Sequence, residues 1–129
     1  MIKYICISLA LSISLCTQNY RADSLMWQDS EIVASREYDV QEAKAYCAQL
    51  SLDGYSDWRL PKIEELFTLL DISKRVPAVV DGIQVCVSDY YWSSTIFAGD
   101  AYSYWSIDFT TGIIKSFSPG TSLFVRCVR

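Results

Sequence analysis

The sequence has 129 residues, 51% hydrophobic and 14% aromatic, with 11 basic and 15 acidic side chains and no histidine. That size and apolar content suit one globular domain with a real core and exclude a disordered chain. The missing imidazole removes Ser-His, Cys-His and His-ligated metal chemistry together.

At the N-terminus, Lys3 forms a short positive region. Residues 5–15 are an apolar run of eleven residues, too short to cross a bilayer and suited to the core of a signal peptide. Residues 1–16 are therefore expected to be an export signal, and the destination is the periplasm, the outer membrane or the cell surface. Ile13-Ser14-Leu15-Cys16 has the form of a lipobox, except that Leu15 stands where a small residue normally precedes the lipidated cysteine. The rival is ordinary cleavage after Cys16. Losing residues 1–16 removes one charge, Lys3, and leaves 10 basic and 15 acidic residues, a net charge of −5. That sign disfavours nucleic acid, anionic lipid and sulfated polysaccharide as general partners. Membrane contact is expected only through a lipid on Cys16.

Residues 17–24 read as a short polar tether and residues 25–129 as the domain. A strand is expected over 25–27, a turn over 28–30 and a second short strand over 32–35. Val40, Ala43, Cys47 and Leu50 then recur at helical spacing, and Asp39 with Glu42 forms an N-cap pair. Asp53-Gly54 supplies turn chemistry and ends this helix region. Pro61 suits the start of a second helix, in which Ile63, Leu66, Phe67 and Leu70 share a face and Glu64 and Glu65 charge the first turn. Residues 74–89 lose all periodicity. They form either a functional loop or a packed connector held by Val79, Val80, Ile83 and Val85.

From Tyr90 the pattern turns to period two. Over 101–109, Ser103, Trp105, Ile107 and Phe109 share one face, while Tyr102, Tyr104, Ser106 and Asp108 share the other. Turns at 110–112 and 118–120 lead to strands over 113–117 and 123–128, with Leu123, Val125 and Cys127 pointing inward. Helices followed by antiparallel strands make an α+β domain. Three cysteines, Cys47, Cys86 and Cys127, remain after the leader, so one intrachain bond can form in three ways.

Four stretches carry a resemblance. LMWQD at 25–29, YCAQLSLDGYSDWRLP at 46–61, YWSST at 91–95 and FVRCVR at 124–129 resemble, in that order, the family named for the C-terminal domain of Lcl-type bacterial collagen-like adhesins. The resemblance implies a C-type lectin-like fold with two helices packed on antiparallel strands. It also implies one disulfide, Cys47 to Cys127, leaving Cys86 as the odd thiol. The resemblance to adhesins suggests attachment to surface glycans or host glycosaminoglycans. Binding in general carries over, but a net −5 chain is poorly suited to sulfated polymers. Where the family usually has a hydroxyl residue after the proline, this chain has Lys62, which cannot cap a helix with its side chain.

The residues offer little for catalysis, and neither an enzyme nor a cofactor is expected. Glu64 and Glu65 are adjacent, so on a helix they cannot face one another as a glycosidase pair. Cys86 is flanked by Val85 and Val87, which would raise a buried thiol's pKa, so an enzyme of the formylglycine-generating kind is the weakest reading. The Glu-Pro-Asn, Gln-Pro-Asp and Trp-Asn-Asp motifs of calcium-dependent lectins are absent. Asp81, Asp89 and Asp100 read as solvated loop carboxylates, without a metal. Trp27, Trp58, Trp92 and Trp105 read as core. Arg59 is expected to pair internally with Asp57 or loop carbonyls. Tyr90, Tyr102 and Tyr104 are the candidate ligand-binding surface, as exposed aromatics for an unknown glycan or protein. The expected function is a surface or envelope binding domain. The alternative is a lipoprotein subunit docking a protein through the 74–89 loop and the outer tyrosines.

Overall fold

The computed structural model describes residues 19–22, 24–99 and 102–129; the leader with Cys16, and Asp100, lie outside the described residues. Among the described residues the fold is α+β with two antiparallel sheets, two helices and one disulfide. Strand β1 (Asn19–Ala22) pairs with β2 (Leu25–Gln28), so part of the expected tether is a sheet strand. Helix α1 is Val40–Gln49 and α2 is Ile63–Phe67. Strands β3 (Tyr90–Ile96), β4 (Tyr104–Asp108) and β5 (Ile114–Phe117) form the second sheet in sequential order.

The capping box of α1 is present as its sequence predicts. Asp39 accepts from the Glu42 N–H at 2.8 Å, and the Glu42 carboxylate accepts from the Asp39 N–H at 3.3 Å. Residues 32–35 are not a strand: Glu31–Ala34 is a 3-10 turn, closed by the Val33 N–H on the Ser30 carbonyl and by the Ser35 hydroxyl on the Ile32 carbonyl. Only Val33 of that turn is buried, so no two-residue alternation operates there. Helix α2 is shorter than its apolar spacing implies. The Thr68 hydroxyl donates to the Glu65 carbonyl at 2.6 Å, and the chain leaves through tight turns that still bury Leu66 and Leu69.

Two buried clusters lie on opposite faces of the β3–β5 sheet. Val40, Ala43 and Cys47 of α1 join Trp58, Trp92, Tyr104, Leu123 and Val125 in one. Leu66, Leu69, Val79 and Ile83 join Trp27, Tyr91, Ile107 and Phe109 in the other. Because both faces are covered, the period-two pattern of β4 does not separate core from solvent. Tyr104, expected to point outward, is only 7% exposed, and Ser106 is fully buried. Trp27, Trp58 and Trp92 are core, while Trp105 is half-buried against Phe97.

Residues 123–128 form a series of single bridges in place of one continuous strand. Leu123 exchanges backbone hydrogen bonds with Tyr38, Phe124 bonds β3, and Val128 exchanges two with Arg59. Leu123, Val125 and Cys127 point inward as expected. Cys127 is bonded to Cys47 of α1 with a Cα–Cα separation of 5.5 Å across 80 residues of sequence. Closing a loop of that length removes about 4–5 kcal/mol of chain entropy from the unfolded state. Cys127→Ala, with Cys47→Ala to avoid a stray thiol, should therefore lower unfolding stability by about 4 kcal/mol in urea titrations.

Candidate functional site

A cleft of about 460 Å³ opens between α1, the 58–62 segment and β3, lined by Lys44, Ala48, Trp58, Arg59, Leu60, Lys62 and Ser94. Three of these are cations and none is a carboxylate. Each cation is positioned by a different element. Lys44 projects from α1, where its ammonium donates to the Tyr104 hydroxyl at 2.8 Å and lies 4.5 Å from that ring's centroid. Arg59 is held by its backbone on Val128, and its guanidinium makes two parallel 2.7 Å bonds to the Glu65 carboxylate. Its partner is thus Glu65, not Asp57. The Asp57 carboxylate is taken by Arg129, at 2.5 and 3.1 Å, whose guanidinium also lies 3.6 Å from the Tyr55 ring centroid.

Lys62 stands at the N-cap of α2, where the chain lacks a capping hydroxyl. The missing group comes from another strand: the Thr95 hydroxyl of β3 accepts from the Ile63 N–H at 2.9 Å. Glu65 completes the turn by accepting from the Lys62 N–H at 2.8 Å. Ser94 adds a backbone bond to the Pro61 carbonyl at 2.7 Å. The Lys62 side chain is thereby released from any capping role, and it forms no salt bridge among the described residues.

The tyrosine candidates separate. Tyr102 is 79% exposed, two residues before Tyr104, whose buried hydroxyl orients Lys44 at the cleft. Tyr90 lies at the opposite end of the sheet, opposite Asp108, and packs edge-on against Phe117. The loop over 74–89 is the packed connector: Ala78, Val79 and Ile83 are buried, and Asp29 accepts from the Gln84 and Val85 N–H groups at 2.8 and 2.9 Å. Cys86 is the free thiol among the described residues and is half-buried. Burial pushes its pKa up, against an opposing pull from the Arg126 charge. No group of three metal-ligating side chains forms among the described residues.

The four stretches of the sequence meet in this geometry: Gln28 bonds Cys127, Arg129 clamps the 55–58 turn, and Ser94 and Thr95 hold the start of α2. The family model of the Lcl C-terminal domain matches residues 17–129. The chain belongs to the Lcl C-terminal domain family. No curated protein matches it. The family match begins at 17, which agrees with β1 being part of this Lcl C-terminal domain.

Lys44 carries no signal in the sequence that marks it as a cleft residue. Lys62 stands out in the sequence only as a missing cap, and that cap and Arg59 are the signals that point to the cleft. The Arg59 hydrogen bonds hold the Glu65 carboxyl below its ordinary value near 4.5. A depressed carboxyl contributes stability above that ordinary value and loses it as pH falls through the native one. Glu65→Gln should therefore cost about 1 kcal/mol at pH 7 in denaturant titrations. The gap to the parent should begin to close below pH 4.5 and vanish once Glu65 is protonated in the native parent.

Proposed function

We propose that this chain is an exported bacterial binding domain of C-type lectin-like fold, acting at the cell surface or in the envelope. It takes an acidic ligand into the cleft walled by Lys44, Arg59 and Lys62. One observation carries the reading: three cations and no carboxylate line a single cleft of a chain with net charge −4. A local cluster of one sign raises the concentration of the opposite sign whatever the overall charge, so the acidic balance of the whole chain does not exclude anions at this site. Arg59 is shared with Glu65, which leaves Lys44 and Lys62 to meet the ligand. The disulfide between the first helix and the last segment supports the lectin-like assignment.

The reading is one of binding, without catalysis. The chain has no histidine, and the thiol of Cys86 is shifted away from the reactive thiolate. An acidic glycan is favoured over a protein docked through the 74–89 loop and outer tyrosines, because Val79, Ile83 and Tyr104 of that surface are buried.

Polygalacturonate, with dextran as the neutral control, tests the assignment. The parent should bind the acidic polymer at low salt and release it as salt rises. Lys44→Gln with Lys62→Glu should weaken binding at least about tenfold, a loss of about 1.4 kcal/mol. Equal binding of dextran, or binding that ignores both lysines, would contradict the assignment.

A further inference from the structure

Three exposed apolar side chains lie on the turns at the end of β4 opposite the cleft. Ile72, Val76 and Ile113 are 69%, 67% and 55% exposed. They sit on adjoining turns: the Val76 N–H bonds the Thr110 carbonyl at 3.4 Å, and Ile72 Cγ2 lies 3.2 Å from where a Cβ on Gly112 would stand. Val76 takes a left-handed φ of 47°, a costly conformation for a β-branched residue, and it gains little burial there. The core does not explain these three side chains.

Strand β1 reaches the same corner through Tyr20. Lys74, two residues from Val76, forms ion pairs with Asp81 and Asp71. Gly82, next to Asp81, is packed so closely under Tyr20 of β1 that a Cβ there would stand 2.5 Å from the Tyr20 ring.

We infer that Ile72, Val76 and Ile113 insert into the interface of a zwitterionic lipid bilayer, seating the domain on the membrane with the basic cleft facing away. The inference rests on the envelope reading above and adds a membrane contact made by the fold itself. A bilayer suits the corner better than a second copy does. Three side chains on turns supply far less than the roughly 800 Å² per partner of a stable interface. The charges around them are of both signs, with Lys74 paired to Asp71 and Asp81 and Arg75 bonded to the Ile72 carbonyl, which matches zwitterionic headgroups better than a surface of one sign.

The chain from Thr17 contains every contact described above and can be sedimented with phosphatidylcholine vesicles. It should partition measurably, and Ile72→Ser/Val76→Ser/Ile113→Ser should lower the partition coefficient at least about tenfold with near-ultraviolet circular dichroism unchanged. No partition of the parent, or equal partition of the variant, overturns the inference. Binding only to phosphatidylglycerol-containing vesicles that salt abolishes also overturns it, as does tip-dependent dimerisation without lipid. Partition that survives when polygalacturonate binding fails would leave the tip standing and remove the cleft.

Discussion

The buried guanidinium of Arg126 is the constraint on which the rest of the structure depends. It is 2% exposed and bonds two other segments at once: the Gln28 carbonyl at 2.5 Å and the Asp29 carboxylate at 3.1 Å in one, and the Val85 carbonyl in the other. Taking such a charge from water costs several kcal/mol, which only a charged partner and well-aimed acceptors offset. Asp29 is committed in turn, since it also accepts from the Gln84 and Val85 N–H groups. The start of the domain, the irregular connector and the last segment are therefore fixed to one another. One residue later, Cys127 ties that last segment to α1.

This frame places chemistry at both ends of one strand. At the start of β4, Tyr104 is buried under α1 and holds Lys44 at the cleft mouth. Beside it, Thr95 and Glu65 take over the capping of α2, so position 62 can carry a lysine without fraying the helix. At the far end of β4, the turns that follow Phe109 meet the 72–76 segment and leave apolar side chains in solvent. The cleft and the apolar corner are thus about as far apart as the sheet allows, and a ligand at one need not compete with a surface at the other.

Much of the fold was legible because its signals are local. The Asp39 and Glu42 cap, the helical spacing through Cys47 and the Asp53-Gly54 turn all act within a few residues. Asp53 and Gly54 do take left-handed φ values of 56° and 81°. The failures are non-local. Tyr104 carries the alternation of an outward residue, and only the arrival of α1 on that face buries it. Arg59 has a carboxylate two residues away, yet it bonds Glu65, six residues on, because α2 turns that side chain back toward it. The cleft was invisible for the same reason: Lys44 and Lys62 are brought together by packing and share no motif.

The most direct test of the cleft is a residue-resolved titration by heteronuclear NMR with a short galacturonic acid oligomer. The account predicts saturable shifts at the amides of Lys44, Ala48, Lys62 and Ser94, and at the ammonium groups of Lys44 and Lys62, with none at Ile72, Val76 or Tyr90. Shifts centred on Tyr90 or the 74–89 connector, or none up to millimolar oligomer, would contradict it.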